Sequence, residues 1–143
     1  TMDIRSVMTS DPTTCTPDAT LRQVAQMMKQ HDCGQIPVVD QQRQPLGVIT
    51  DRDIAVRAVA EGSDLANAKA GDYMTSPVTT VPQDSDLNDV ARLMEQNQIR
   101  RVVVVDPKGC VTGIVAQADV ALAGRDNKTA EVVKQVSQPS SSR

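Results

Sequence analysis

Aromatic side chains are almost missing from this chain: among 143 residues there is no Phe, no Trp and one tyrosine, Tyr73. A surface that stacks nucleobases on rings is thereby excluded, and the core has to be assembled from Val, Ile, Leu, Met and Ala. Charge of one sign is also missing. Lys and Arg number 15 against 18 Asp and Glu, so no overall basic field exists, and neither nucleic acid nor membrane is expected as a partner. No apolar run approaches the roughly 20 residues of a membrane span, and the opening TMDIRSVM lacks a basic stretch leading into an apolar one. A soluble, cytoplasmic protein is expected. With one histidine, no nucleophile elbow, no Walker loop and no HExxH, catalysis is not expected. Cys15, Cys33 and Cys110 are odd in number and form no CxxC, which fits reduced thiols. Cys15, His31 and Cys33 are the one imaginable metal set; small buried thiols and a surface histidine are the expected reading, with no metal.

What the chain does have is a repeat. VMTSDPTTCTPDATLRQVAQMMKQHDCGQIPVVDQQRQPLGVITDRDI, from Val7 to Ile54, returns as YMTSPVTTVPQDSDLNDVARLMEQNQIRRVVVVDPKGCVTGIVAQADV, from Tyr73 to Val120. Met8 maps to Met74, Met28 to Met94, Gly47 to Gly113 and Asp53 to Asp119, each 66 positions on, with a compensated one-residue slip between Ser10 and Leu21. Two copies of one unit of this size are expected to share a core and to place function where they meet.

Each copy carries the same order of signals. A Met-containing helical turn leads to an extended piece, 13–16 or 78–81, closed by Pro17 or Pro82. Leu21, Val24, Ala25 and Met28, like Leu87, Val90, Ala91 and Met94, follow i, i+3, i+4, i+7 spacing and predict helices ending near His31 and Asn97. Asp18 or Thr20, and Asp84 or Asp86, are the candidate caps. Strands are predicted over 36–39, 46–50, 102–105 and 110–116, joined by the turn segments DQQRQP and DPKG. A second helix is expected from Asp51 to Gly62 and from Gln117 to Gly124. The reading is two β-α-β-β-α units in an α+β fold, spanning 4–62 and 71–124, with a linker at 63–70 and a tail at 125–143 that is partly disordered and whose 129–136 segment either extends a helix or is unstructured.

The openings VMTSDP and YMTSP, the middle strands GQIPVVD and IRRVVVVD, and the closing GVITDRDI and GIVAQADV, occurring in order and twice, resemble the tandem cystathionine-β-synthase (CBS) domain, or Bateman module, of the stand-alone prokaryotic type. The resemblance covers residues 4–124. It implies two repeats packed about a pseudo-two-fold axis with two clefts between them. It also implies a regulatory sensor of an adenosine-containing ligand, with AMP, ADP or ATP expected ahead of S-adenosylmethionine and no obligatory cofactor. A homodimer and an unidentified protein partner are further implications.

The residues can be read beside that resemblance. Thr50 and Asp53 stand at a strand-to-helix junction, where free amides suit a phosphate and a carboxylate suits vicinal ribose hydroxyls. The alternative is that Thr50 caps the helix and Asp53 completes an N-terminal box. The family's architecture implies a second wall for this main cleft from Val78, Thr79, Val81, Pro82, Ile99, Arg100, Arg101 and Val102. The Arg100 and Arg101 guanidiniums suit phosphate oxygens, or are two solvated arginines at a strand end. Arg52 either reaches phosphate or pairs with a carboxylate on the surface. The other cleft keeps Asp119 but has Ala116 where Thr50 stands. Its second wall, implied to include Thr14, Cys15, Pro17, Gly34, Gln35, Ile36 and Pro37, offers no cation. It is expected to be the weaker site. The alternative to a nucleotide sensor is a ligand-free structural or dimerisation module, supported by the apolar content of the second helices: Ile54, Val56, Val59, Val120 and Leu122.

Overall fold

Apolar stripes at helical spacing become the inner faces of two matching helices. In the computed structural model, which describes residues 2–123, α1 (Leu21–His31) buries Leu21, Val24 and Met28. A single turn, α2 (Ala70–Tyr73), follows later in the chain. Its successor α3 (Leu87–Asn97) buries Leu87, Val90 and Met94. The caps are Thr20 and Asp86. Thr20 accepts from the Gln23 N–H while Gln23 accepts from the Thr20 N–H, a reciprocal box. Asp86 accepts from the Asn88 N–H at 3.2 Å. Both helices end on a left-handed residue, Asp32 (φ 52°) and Gln98 (φ 54°).

The β-rich runs form two antiparallel hairpins of the same design. β2 (Gln35–Val39) pairs with β3 (Pro45–Thr50), and β5 (Arg101–Val105) with β6 (Val111–Ala116). Each shifts register at the same place, Val38/Val39 and Val104/Val105. One carboxylate oxygen organises each turn: Asp40 Oδ1 accepts from the Gln42 and Gln44 amides, and Asp106 Oδ1 from those of Lys108 and Cys110. After the hairpins the chain turns helical. Residues 51–59 are helical, with the wider π-type winding over Asp53–Val59, and residues 117–123 are helical in the second copy. Gly124, the tail at 125–143 and the 129–136 segment lie outside the described residues.

The openings of the copies are exchanged. β1 (Thr9–Ser10) pairs with β6 of the second copy, Thr9 opposite Ile114. Thr75, its counterpart, exchanges both backbone hydrogen bonds with Val48 of the first copy, at 3.0 and 2.8 Å. The 3-10 turn Ile4–Ser6 inserts Ile4 into the second copy's core, and α2 inserts Ala70 into the first. Arg5 beside Asp3 holds that capping carboxyl down to about 2, so the Ile4 turn keeps its cap through the ordinary carboxylate range. β4 (Thr80–Pro82) runs parallel to β5, and Cys15 makes the matching parallel bridge to Val38. Pro82 is thus the last residue of an edge strand, a position that needs no N–H donor.

The expectation of one shared core needs refinement, because strand alternation sends successive residues to opposite sides. Ile36, Val38 and Ile49 join α1 in the first core, and Val102, Val104 and Val115 join α3 in the second. Val39 and Val48 meet Val103, Val111 and Ile114 between the sheets in a third. The 63–70 segment also packs: Leu65 and Ala68 lie against the first core, and their carbonyls accept from the Arg22 and Leu21 amides.

At Gly47 a Cβ would stand 2.7 Å from the Thr75 carbonyl oxygen and 2.8 Å from Met74 Sδ. Gly47→Ala is therefore expected to force the copies apart, costing about 1–3 kcal/mol and lowering the melting temperature by roughly 5–10 °C, as read by circular dichroism.

Candidate functional site

Because the openings cross over, the end of β3 in the first copy faces the opening and middle strand of the second. A cleft of about 160 Å³ lies there, lined by Val48 and Thr50, by Thr75, Pro77, Val78 and Thr79, and by Ile99, Arg100 and Arg101. The two-residue period of β3 sets Val48 and Thr50 on one face. The turn into β5 brings the two arginines to the rim.

Thr50 is buried, 7% exposed, and bonded to Asp53 in both directions. Thr50 Oγ1 accepts from the Asp53 N–H at 3.0 Å, and Asp53 Oδ2 accepts from the Thr50 N–H at 3.0 Å. This is the N-terminal box that the sequence left as an alternative. It occupies one carboxylate oxygen; the other, Oδ1, lies 3.9 Å from Arg57. Thr50 keeps its own hydroxyl proton to donate. In the second copy only half of the box exists: the Ala116 N–H donates to Asp119 Oδ2 at 3.2 Å, and no hydroxyl returns the bond.

The cleft thus brings together Thr50, Val78, Thr79, Ile99, Arg100 and Arg101, with Asp53 behind Thr50. Three expected residues stand elsewhere. Val81 and Val102 belong to the second core, at 5% and 0% exposure, because alternation along β4 and β5 turns them inward. Pro82 lines a separate hollow with Gln83, Asp84, Val105, Asp106 and Pro107. Sequence reading missed Val48, Thr75 and Pro77. Their signals were available: Val48 shares a face with Thr50, and Thr75 and Pro77 belong to the MTSP opening that answers MTSDP in the first copy.

The residues expected around the weaker cleft disperse. Cys15 and Ile36 lie in the first core, Ile36 fully buried by strand alternation, so Ile36 gives no apolar face to a ligand. Pro37 is buried, and its carbonyl accepts from the Cys15 N–H. Pro17 packs on Gly71, where a Cβ would stand 3.0 Å from the proline Cβ. Thr14 is half-buried in the extended piece ahead of Cys15. Gly34 makes room for Asp51, whose Oδ2 would lie 2.8 Å from a Cβ there. Gln35 accepts a hydrogen bond from Arg101 Nε. The surface beside Asp119 is a shallow depression of about 300 Å³ lined by Ala116, Gln117, Ala118 and the same Arg100 and Arg101. None of the residues expected as the second wall lines this depression. Both arginines stand on the divide, because Arg101 is paired in register with Ala116.

Burial pushes the Cys15 thiol up to about 11. Among the described residues, no group of three or more His, Cys, Asp and Glu side chains is placed to hold a metal ion, and no helix is long and apolar enough to cross a membrane.

Comparison with known proteins places these features in a wider setting. The family model for the CBS domain matches residues 4–59 and again 70–126. The chain is 38% identical over 127 residues to the CBS domain-containing protein YhcV of Bacillus subtilis, covering 89% of each. To Hypoxic response protein 1 of Mycobacterium tuberculosis it is 31% identical over 135 residues, covering 94% of each. It is 33% identical to protein MK0525 of Methanopyrus kandleri, of which it spans 61%. Among solved structures, it resembles the CBS domain pair of MJ0100 in complex with 5'-methylthioadenosine and S-adenosyl-L-methionine, at TM-score 0.77 and 26% identity over 88% of this chain and 98% of that one. It also resembles CBSX2 in complex with AMP, at TM-score 0.73 and 25% identity over 90% and 99%.

Two outcomes are expected. Ala116→Thr supplies the missing hydroxyl opposite Asp119 and should raise stability by about 0.5–1 kcal/mol, measured by urea unfolding. Because its thiol stays protonated until about pH 11, Cys15 should resist iodoacetamide at pH 8 in the folded protein while Cys33 and Cys110 are alkylated, as followed by peptide mass spectrometry.

Proposed function

The chain belongs to the CBS domain family, whose domain it carries twice, and from that membership we propose that it is a regulatory module, not a catalyst, that binds an adenine nucleotide in the Thr50 cleft. The observation that carries this reading is the composition of that cleft. A buried hydroxyl backed by a carboxylate comes from one copy, and an apolar wall of Val78 and Ile99 with two guanidiniums comes from the other. Ribose suits the Thr50 and Asp53 side, the ring suits the apolar wall, and phosphate suits Arg100 and Arg101.

The cleft's size bears on how a signal would arise. About 160 Å³ is below the roughly 300–1,000 Å³ of a pocket that encloses its ligand. Entry of a nucleoside therefore widens the gap between copies. A ligand that binds the wider arrangement better shifts the population toward it, and a partner protein reads the change. AMP, ADP and ATP fit the arginine rim better than the cationic sulfonium of S-adenosylmethionine.

A second reading, a ligand-free dimerisation module, is favoured by one observation. Val56 and Val59 on the first copy's π-type helix and Leu122 on the second copy's helix are 52%, 54% and 56% exposed. A homodimer that covers them is part of both readings.

Melting curves and calorimetry with AMP, ADP, ATP and S-adenosylmethionine separate the two. Binding of an adenine nucleotide with a raised melting temperature is expected, and Arg101→Ala should weaken it at least tenfold while sedimentation still reports a dimer. No heat and no shift with any of the four, at millimolar ligand, would leave only the dimerisation module. Val56→Glu with Val59→Glu is expected to give a folded monomer by sedimentation; an unchanged dimer would place the interface elsewhere.

A further inference from the structure

Gln35 and Arg101 occupy the same position in the two copies, 66 residues apart, yet differ in chemistry. Each opens the middle strand of its hairpin: Gln35 sits opposite Thr50 and Arg101 opposite Ala116. The pseudo-two-fold axis brings these equivalent residues together, and Gln35 Oε1 accepts from Arg101 Nε in a part-buried contact. Gln35 lies on the first copy's strand, but through this bond it acts on a guanidinium that lines the Thr50 cleft.

An arginine side chain has many rotamers and loses freedom when it meets a ligand. A bond fixed at Nε removes much of that freedom beforehand and leaves the two terminal nitrogens, the geometry that grips two oxygens of one phosphate. Gln is suited to the task because its amide oxygen accepts without contributing charge, so the positive field at the rim is kept. An arginine repeated at position 35 would oppose Arg101 across the axis with like charge, and a glutamate would neutralise it. Arg101 also borders the depression beside Ala116, so its orientation decides which side of the axis receives the cation.

We propose that Gln35 is a positioning residue that sets the specificity of the Thr50 cleft for phosphorylated over unphosphorylated nucleosides, by holding Arg101 Nε so that its terminal nitrogens face the cleft. The inference rests on the nucleotide reading above. It differs in assigning selectivity to a residue of the first copy that reaches the ligand only through another side chain.

Calorimetry with AMP and with adenosine, on the full chain, tests it. Gln35→Ala, and Gln35→Met, which retains side-chain length without the acceptor, should weaken AMP about five- to tenfold and leave adenosine within twofold. Arg101→Ala should weaken AMP more, and adding Gln35→Met to it should cost nothing further for AMP, since the two act as one unit. If the Gln35 variants weaken AMP and adenosine equally, or the two substitutions are additive, Gln35 is only a structural contact across the axis and the proposal falls. A wild-type chain that binds neither compound overturns the nucleotide reading and this proposal with it; a wild type that binds AMP with an unaltered AMP-to-adenosine ratio in the variants overturns this one alone.

Discussion

The close seating of each copy's opening methionine on the other copy's strand glycine is the contact on which the rest depends. Met74 lies over Gly47 and Met8 over Gly113, in places where a Cβ has no room. That approach lets Thr75 bond the backbone of Val48 and lets Thr9 pair with Ile114. With the openings crossed, Ile4 fills the second core and Ala70 the first. The copies are therefore not two domains in contact. Each supplies a piece without which the other's core is incomplete, and the Thr50 cleft exists because the second copy's opening is held against the first copy's strand.

Against this symmetric frame, three of the differences between the copies stand close to the axis. Thr50 and Ala116, Gly34 and Arg100, Gln35 and Arg101 are three substitutions at equivalent positions, and all lie around the junction of the two clefts. Elsewhere the copies agree in detail that nothing at a site demands: the same bulge, the same carboxylate in the hairpin turn, the same left-handed helix ends. Shared features hold the fold, and among the divergent ones Thr50 gives the first copy a hydroxyl bond that Ala116 does not return in the second.

Much of the fold was legible because the periodic signals are strong. The helices from Leu21 and Leu87 and all four hairpin strands begin and end within a residue or so of their expected bounds, and Thr20 and Asp86 emerge as caps from pairs that spacing alone left open. The crossing of the openings was not legible. Exchange between equivalent segments leaves each segment's own pattern unchanged, so nothing in residues 4–10 or 70–75 announces which core receives them. The same limit explains the misplaced site residues. The family's cleft implied whole strands as walls, whereas alternation sends Val81, Val102 and Ile36 into the two helix-covered cores and turns Val48 to the side between the sheets, where it borders the cleft. Arg101 lines the hollow beside Thr50, and its bond to Gln35 depends on the axis bringing equivalent positions together, a relation that no local window contains.

The exchanged openings also set an order on the birth of the protein at the ribosome. The first copy's core closes as soon as Ala70 to Met74 emerge, whereas β1 waits for β6, about a hundred positions further on. At roughly 5–20 residues per second the N-terminal segment, with Ile4, Val7 and Met8 and no surface of its own to cover them, stays unsatisfied for on the order of ten seconds. The segment that locks the finished molecule is thus the one that an unfinished molecule leaves uncovered longest, and slow synthesis through residues 75–116 lengthens that exposure.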